Sequence, residues 1–122
     1  MNLILWILQI FLAVYFLFTG VIHFIVPPGL PEPMSWMYEL STTLHYISGT
    51  AEILAALGLI LPGITRIKTW LTPLAASGLV LVMIGAAIWH SQRGEMTSIF
   101  MNILIALLAG FVAYARWKLN PL

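Results

Sequence analysis

The sequence predicts an all-α polytopic membrane protein, built as an antiparallel bundle of four transmembrane helices. Hydrophobic residues make up 61% of the 122 residues and charged residues only 7%, whereas a soluble domain averages about 45–50% and about 25%. The chain also holds four apolar runs near the roughly 20 residues that a spanning helix needs, bounded by Pro, Gly or charged residues. The lipid bilayer is therefore the first expected partner.

The same composition excludes several other classes of protein. Low charge combined with high hydrophobicity is the opposite of a disordered chain. A formal net charge of +1 provides no basic face for nucleic acid. Cysteine is absent, which excludes disulfides and cysteine nucleophiles, so any redox chemistry needs a bound cofactor or substrate. No spacing of histidines and carboxylates indicates a metal site.

Proline and glycine residues set the limits of the predicted spans. The first run ends at Pro27 and Pro28, which cannot continue a helix, and the second ends at Pro62 and Gly63. Pro73 falls in the first turn of the third run, where proline is tolerated. We expect spans over residues 3–26, 43–61, 69–90 and 98–117, within a single membrane domain of residues 1–122.

The longest connection, residues 27–43, is predicted to be an amphipathic segment on the outer membrane surface. It is rich in proline and carries Trp36 and Tyr38. These aromatic side chains suit the interface between membrane and water, and a short amphipathic element lies in that plane.

The basic residues predict the orientation of the bundle. With four antiparallel spans, both termini share one side with the loop between spans two and three. That side carries Arg66, Lys68, Arg116 and Lys118, whereas Arg93 is the only Lys or Arg on the other side. Because positive charge marks the cytoplasmic side, both termini are predicted to be cytoplasmic, and the protein is expected in the cytoplasmic (plasma) membrane.

Small residues let membrane helices approach closely, and spans two to four are rich in them. Ala51 with Ala55, and Ala109 with Ala113, form pairs of small residues four apart. Packing within the bundle explains these pairs, and a homodimer face is the second interpretation.

Glu52 is the polar residue whose placement inside the membrane costs the most free energy. Counting the helical rise from Leu61 places it roughly 14 Å along its span, near the bilayer midplane. A carboxylate at that depth is costly unless it is paired, hydrated or protonated. We therefore interpret Glu52 as a functional site, with a structural hydrogen bond to Asn102 as the alternative interpretation.

Other polar residues are predicted to join Glu52 in a pocket in the outer half of the bundle. Their spacing places them on shared helix faces, and their depths run from the outer surface to the midplane. They suit ligand binding or a proton relay to Glu52, whereas no spacing specifies a haem site. The residues expected here are Tyr15, His23, His45, Glu52, His90 and Asn102, with Arg93 in the adjoining loop as a contact for a lipid phosphate or an anionic ligand.

Four groups of residues follow one another along the spans. They are Leu17-Phe18-Thr19-Gly20-Val21-Ile22-His23, then Gly49-Thr50-Ala51-Glu52, then Met83-Ile84-Gly85-Ala86-Ala87 with His90 and Arg93-Gly94-Glu95, and finally Asn102 with Phe111-Val112-Ala113-Tyr114. Together they resemble the DoxX-like family of small four-helix membrane proteins, and the resemblance covers nearly the whole chain.

The resemblance implies a link to quinone chemistry. The family takes its name from a membrane subunit of a thiosulfate:quinone oxidoreductase, other relatives are linked to oxidative stress or quinone detoxification, and a distant animal relative assists receptor assembly. The polar positions of the family correspond here to His23, Glu52, His90, Arg93 and Asn102, without a catalytic role for any of them.

We therefore expect a membrane protein that binds a small apolar or quinone-like ligand, as the membrane subunit of a redox complex. Electrons would come from a partner subunit or a bound cofactor. A non-catalytic subunit for assembly or lipid binding is the alternative. A proton-coupled transporter is a third hypothesis, which the small size, the lack of inverted repeats and the apolar cytoplasmic half of the spans oppose.

Overall fold

The computed structural model describes all of residues 1–122 and contains no strand. Its helices are α1 (Asn2–Ile25), α2 (Thr42–Thr65), α3 (Leu71–Gln92) and α4 (Met96–Tyr114), with a 3-10 helix (Glu32–Tyr38) before α2 and a π-helical turn (Ala115–Leu119) after α4. All four helices, the last one together with its π-helical turn, are long and apolar enough to cross a membrane. The predicted fold class, an all-α polytopic membrane protein, is confirmed.

Consecutive helices run antiparallel and pack side by side. α1 packs on α2, α2 on α3 and α3 on α4, while α1 and α4 meet over a smaller area. Both chain termini lie at one end of the bundle, which we call the termini end. The opposite end, which we call the histidine end, carries the 3-10 helix together with His23, His45 and His90.

The core combines large apolar side chains with small ones. The large side chains fill the centre of the bundle, and the alanines let neighbouring backbones approach. Outward faces carry exposed Leu, Ile and Phe side chains, which an apolar bilayer accommodates. The core includes Leu5, Leu12, Phe16, Leu59, Leu79, Ile105 and Val112, with Ala55, Ala56, Ala76, Ala109 and Ala113 between them.

Helix α2 passes through Pro62 and ends at Thr65, beyond the predicted limit at residue 61. A proline inside a helix has no N–H, so the carbonyl four residues earlier loses its donor. That carbonyl belongs to Gly58, and the Thr72 hydroxyl of α3 donates to it over 2.8 Å. The helix can therefore continue because a neighbouring side chain satisfies the freed carbonyl.

The proline-rich segment after α1 folds back onto the histidine end. Val26 adopts a left-handed conformation (φ 35°) and ends α1. The Tyr38 hydroxyl then donates to the Pro27 carbonyl over 2.8 Å and accepts from the Leu30 N–H over 3.0 Å. These bonds close the segment and bury Met37, which is 2% exposed. The segment predicted as a surface element thus also contributes a side chain to the protein interior.

A pair of glycines allows close contact between α1 and α2. A Cβ atom added to Gly49 would lie 2.9 Å from the Gly20 carbonyl oxygen and 2.7 Å from Cε2 of Phe24. Only a residue without a side chain permits this approach, since a backbone carbonyl cannot rotate away as a side chain can. The contact sets the separation of α1 and α2 in the half of the bundle that carries the histidines.

Replacing Gly49 with alanine should therefore destabilise the bundle by about 1–3 kcal/mol through overpacking. Gly85→Ala is the matched control, because a Cβ atom there meets nothing within 4 Å. The control should be neutral or stabilising by up to about 1 kcal/mol, since alanine favours helix. Thermal unfolding of the detergent-solubilised variants measures both, and equal melting temperatures for the two would contradict the close contact.

Candidate functional site

Glu52 lies in the middle of α2 and is 4% exposed. Its carboxyl group faces α1, where the Thr19 hydroxyl donates to Oε1 over 2.6 Å. The second oxygen, Oε2, lies 3.3 Å from Nε2 of His23. Glu52 is therefore not isolated in the apolar interior, because two side chains of one neighbouring helix hold its carboxyl group.

The contacts continue from His23 towards the histidine end. Nδ1 of His23 lies 2.8 Å from Nδ1 of His45, and Nε2 of His45 lies 2.7 Å from the Met37 carbonyl oxygen. Both histidines are buried. Polar contacts thus lead from Glu52 across the 3.3 Å contact to His23, and then by hydrogen bonds through His45 to the 3-10 helix, and we call this series the Glu52 relay.

The Met37 carbonyl determines which atoms of the Glu52 relay donate and which accept. A carbonyl oxygen only accepts, so Nε2 of His45 carries a proton and donates it to Met37. One proton lies between the two Nδ1 atoms, since two bare nitrogens would not approach to 2.8 Å. A third proton, on Nε2 of His23 or on Oε2 of Glu52, would join these two atoms, which lie 3.3 Å apart.

The positions of the protons in the relay can change while the contacts between its side chains remain. In the first arrangement Glu52 is neutral and donates to Nε2 of a neutral His23. In the second, His23 is the imidazolium and Glu52 the carboxylate. In the third, the imidazolium is His45, which donates to Nδ1 of His23. The total number of protons is the same in all three, so a proton can shift along the relay by short transfers, as histidines at such spacing allow.

Helical spacing explains how the relay forms. Thr19 and His23 lie one turn apart on α1, and His45 and Glu52 lie two turns apart on α2. Gly20 and Gly49 lie between them and bring the two helices into contact. Because α1 and α2 are antiparallel, Thr19 comes opposite Glu52 and His23 reaches both His45 and Glu52.

His90 and Arg93 form a second cluster at the histidine end. Nδ1 of His90 lies 2.8 Å from Oε1 of Glu95, and Nε of Arg93 donates to the same oxygen over 2.9 Å. Arg93 also forms an ion pair with Glu39. Its guanidinium therefore joins the α3–α4 loop to the segment before α2 and is bound to carboxylates of the chain itself.

Trp36 connects this cluster to the Glu52 relay. Its ring lies 4.8 Å from the His90 ring in an edge-on arrangement and 6.1 Å from the His23 ring. The Arg93 guanidinium lies over Trp89, 4.8 Å from the ring centre. Aromatic side chains therefore cover the relay, and His90 lies beside the relay without a hydrogen bond to it.

The charges of the second cluster shift its pKa values. Burial acts to raise the pKa of Glu95, but hydrogen bonds from His90 and Arg93, together with their charge, hold it below its ordinary value of 4.5. Hydrogen bonds to Glu95 and then Glu39 raise the pKa of the Arg93 guanidinium. The loop pairing is thus strongest while Glu95 is ionised.

One of the residues expected near Glu52, Asn102, lies elsewhere. Asn102 lines a groove of about 310 Å³ between α3 and α4, where its Nδ2 has no hydrogen-bond partner. The alternative hydrogen bond from Glu52 to Asn102 is not formed, since Glu52 faces α1. Tyr15 packs between the rings of Phe11 and Phe16 and makes no side-chain hydrogen bond within the chain.

Thr19 shares its helix face with Tyr15 and His23, as the sequence spacing shows, but only the structure identifies it as a donor to Glu52. The Met37 carbonyl has no sequence signal, because any residue carries a carbonyl and only the fold of the 3-10 helix aims it. No group of three His or carboxylate side chains is arranged to hold a metal ion, since His23 directs its two nitrogens at different partners.

A larger apolar groove lies between α2 and α3. It has a volume of about 500 Å³ and opens on the outer face of the bundle. Ala51 and Ala55, which flank Glu52 along α2, belong to its lining, as do Gly58 and Ala75. Small residues therefore create a depression on the opposite side of α2 from the relay.

The comparisons with known proteins give one match. The model of the DoxX-like family matches residues 7–112, a range that runs from the first turns of α1 almost to the end of α4. Neither the curated proteins nor the solved structures include a protein that matches the chain.

The polarity of the Glu52 relay predicts the tautomers of its histidines. Nε2 of His45 should carry a proton at every pH at which the protein is folded, because Met37 offers only an acceptor. His90 is the internal comparison, since its Nδ1 carries the proton that it donates to the Glu95 carboxylate. Nitrogen-15 NMR of protein labelled in its histidine rings measures both, and an unprotonated Nε2 in His45 would contradict the relay.

The second cluster predicts an acid-sensitive contribution to stability. A lowered pKa in the folded protein means that Glu95 stabilises the fold above its ordinary value of 4.5 and loses this effect as the pH falls through the lower folded value. Melting temperatures measured from neutral to acid pH should therefore fall less steeply for Glu95→Gln than for the wild type. Glu32→Gln, at an exposed carboxylate without partners, should follow the wild-type curve, and three parallel curves would contradict the pairing.

Proposed function

The chain belongs to the DoxX-like family of membrane proteins, and from this we propose that it binds a small quinone-like ligand of the bilayer and exchanges a proton with it through Glu52. The single observation that carries this proposal is the Glu52 relay, a buried carboxyl group 3.3 Å from His23, which is hydrogen-bonded to His45. A buried ionisable group inside a membrane protein indicates function, and here it has a route for its proton.

Quinone chemistry needs such a route. A quinone that takes up two electrons also takes up two protons to form the quinol, and reoxidation releases both. A carboxyl group within hydrogen-bonding distance of a quinone oxygen gives one proton and becomes the carboxylate. Each proton that Glu52 gives must then be replaced from water, because the Met37 carbonyl at the end of the relay accepts a hydrogen bond and supplies no proton. The electrons come from a redox partner subunit, and the chain is the membrane subunit of that complex.

The ligand would reach Glu52 from within the bilayer. The groove between α2 and α3 is apolar and has the volume of a typical ligand site. Ala51 and Ala55, which flank Glu52 along α2, line it, so a ligand in the groove is separated from the carboxyl group only by the width of the helix. A quinone tail would occupy the groove while the head group passes between the helices to Glu52.

We also place the protein in the cytoplasmic membrane as one membrane domain, with both termini in the cytoplasm. Four basic residues support this orientation, namely Arg66, Lys68, Arg116 and Lys118 at the termini end. The histidine end would then face outward.

The same groove favours a second function, a subunit that binds lipid or a partner helix without chemistry. Gly58 and Ala75 make its floor shallow and smooth, since a Cβ atom on Gly58 would lie 2.8 Å from that of Ala75. A partner subunit or a second copy could pack there through small residues. A proton-coupled transporter is less well supported, because Leu12, Phe16 and Leu59 fill the core between Glu52 and the termini end.

A binding measurement tests the proposal. A short-chain ubiquinone analogue should quench the tryptophan fluorescence of the detergent-solubilised protein, because Trp36 lies beside the relay. Glu52→Gln removes the acid and should weaken binding about 3- to 10-fold, the cost of one hydrogen bond or slightly more. Glu32→Gln makes the same chemical change at an exposed site and should bind like the wild type.

Equal affinity in Glu52→Gln and the wild type would contradict the role of Glu52. Absence of quinone binding together with specific retention of a phospholipid would instead support the subunit without chemistry.

A further inference from the structure

A buried arginine lies at the termini end, far from the Glu52 relay. Arg116 follows α4 in the π-helical turn and is only 2% exposed. Its Nε donates to Oε1 of Gln9 over 2.6 Å, and its Nη1 donates to the Asn120 carbonyl over 3.0 Å. Gln9 in turn donates to the Leu59 carbonyl over 2.7 Å. The guanidinium thus joins α1, α2 and the end of α4.

No acidic side chain of the chain pairs with the charge of Arg116. Its hydrogen-bond partners are an amide and a carbonyl, both neutral, and it forms no ion pair. A guanidinium remains protonated in proteins, and a buried charge is stable only when it is paired. The four carboxylate side chains are at the midplane or near the histidine end, namely Glu32, Glu39, Glu52 and Glu95.

The guanidinium also has an unused donor. Nη2 of Arg116 is buried and has no hydrogen-bond partner. Nη1 and Nη2 together form one edge of the guanidinium, the edge that binds two oxygens of a phosphate or carboxylate side by side. Only the Asn120 carbonyl occupies this edge, and Asn120 belongs to the last residues of the chain, after the helical turn has ended.

We propose that Arg116 binds a phosphate-type anion at the termini end, with Nη1 and Nη2 as its paired donors. The anion displaces the Asn120 carbonyl, and residues 120–122 move aside to admit it. Gln9 keeps its bond to Nε and holds the guanidinium in place. The Trp6 ring lies 5.7 Å from the guanidinium, and Lys118, two residues further along the chain, is exposed.

Two sources supply this chemistry, a phospholipid headgroup at the membrane surface or free phosphate in the adjoining water. Basic pockets between transmembrane helices bind anionic headgroups in this way. The site is separate from the Glu52 relay and does not depend on the quinone hypothesis, because it occupies the other end of the bundle.

Thermal unfolding with added ligand tests the site. A short-chain phosphatidylglycerol, well above its dissociation constant, should raise the melting temperature of the detergent-solubilised wild type by about 3 °C or more. Short-chain phosphatidylcholine is the headgroup control, and inorganic phosphate is the second arm. Arg116→Gln keeps a donor for Gln9 but removes the charge and should lose the shift. Lys118→Gln removes an equal charge at an exposed neighbour and should keep it.

The comparison of phosphatidylglycerol with inorganic phosphate identifies the source of the anion. A shift with phosphatidylglycerol alone assigns the site to a headgroup, and an equal shift with inorganic phosphate assigns it to a free anion. An equal shift in Arg116→Gln, or no shift in the wild type with either anion, would overturn the proposal. If Arg116→Gln does not fold, native mass spectrometry of the wild type in mixed micelles replaces it, and retention of phosphatidylcholine as often as phosphatidylglycerol would overturn the proposal too.

Discussion

An apolar bilayer offers no hydrogen-bond partner, so a polar group that the helices carry into it is stabilised when it finds a partner within the chain. Helix pairs provide these partners. The Thr19 hydroxyl of α1 donates a hydrogen bond to Glu52 of α2. The Thr72 hydroxyl of α3 donates to the Gly58 carbonyl, which Pro62 leaves without a donor. The Gln9 amide of α1 donates to the Leu59 carbonyl. These bonds also fix how the helices are rotated against one another, because each partner must face the other.

The polar groups are divided between the two ends of the bundle. The acidic side chains and histidines occupy the midplane and the histidine end, whereas the termini end holds a buried arginine without an acidic side chain beside it. Between the two lies an apolar core formed by residues such as Leu12 and Leu59. This division supports two independent sites, one that handles protons and one that holds an anion, rather than one path across the membrane.

Much of this arrangement could be predicted from the sequence. Composition and run length are enough for the fold class, and the depth of Glu52 follows from helical rise. Depth along a helix does not determine how that helix is rotated about its axis, however. The expectation that Asn102 lies beside Glu52 follows from depth, but Asn102 lines the groove between α3 and α4. The bond between His23 and His45 depends on the glycine contact of α1 and α2, and the role of the Met37 carbonyl depends on the path of a loop. The burial of Arg116 follows from the π-helical turn, which no periodic pattern indicates.

The most direct test of the Glu52 relay is whether Glu52 senses a histidine that it does not touch. Infrared spectroscopy can identify the bands of the Glu52 carboxyl group by their loss in Glu52→Gln. A proton shared through His23 predicts that His45→Phe changes the position or intensity of these bands, whereas His90→Phe leaves them as in the wild type. Unchanged bands in His45→Phe would contradict a connected relay and leave Glu52 with a purely local hydrogen bond to Thr19.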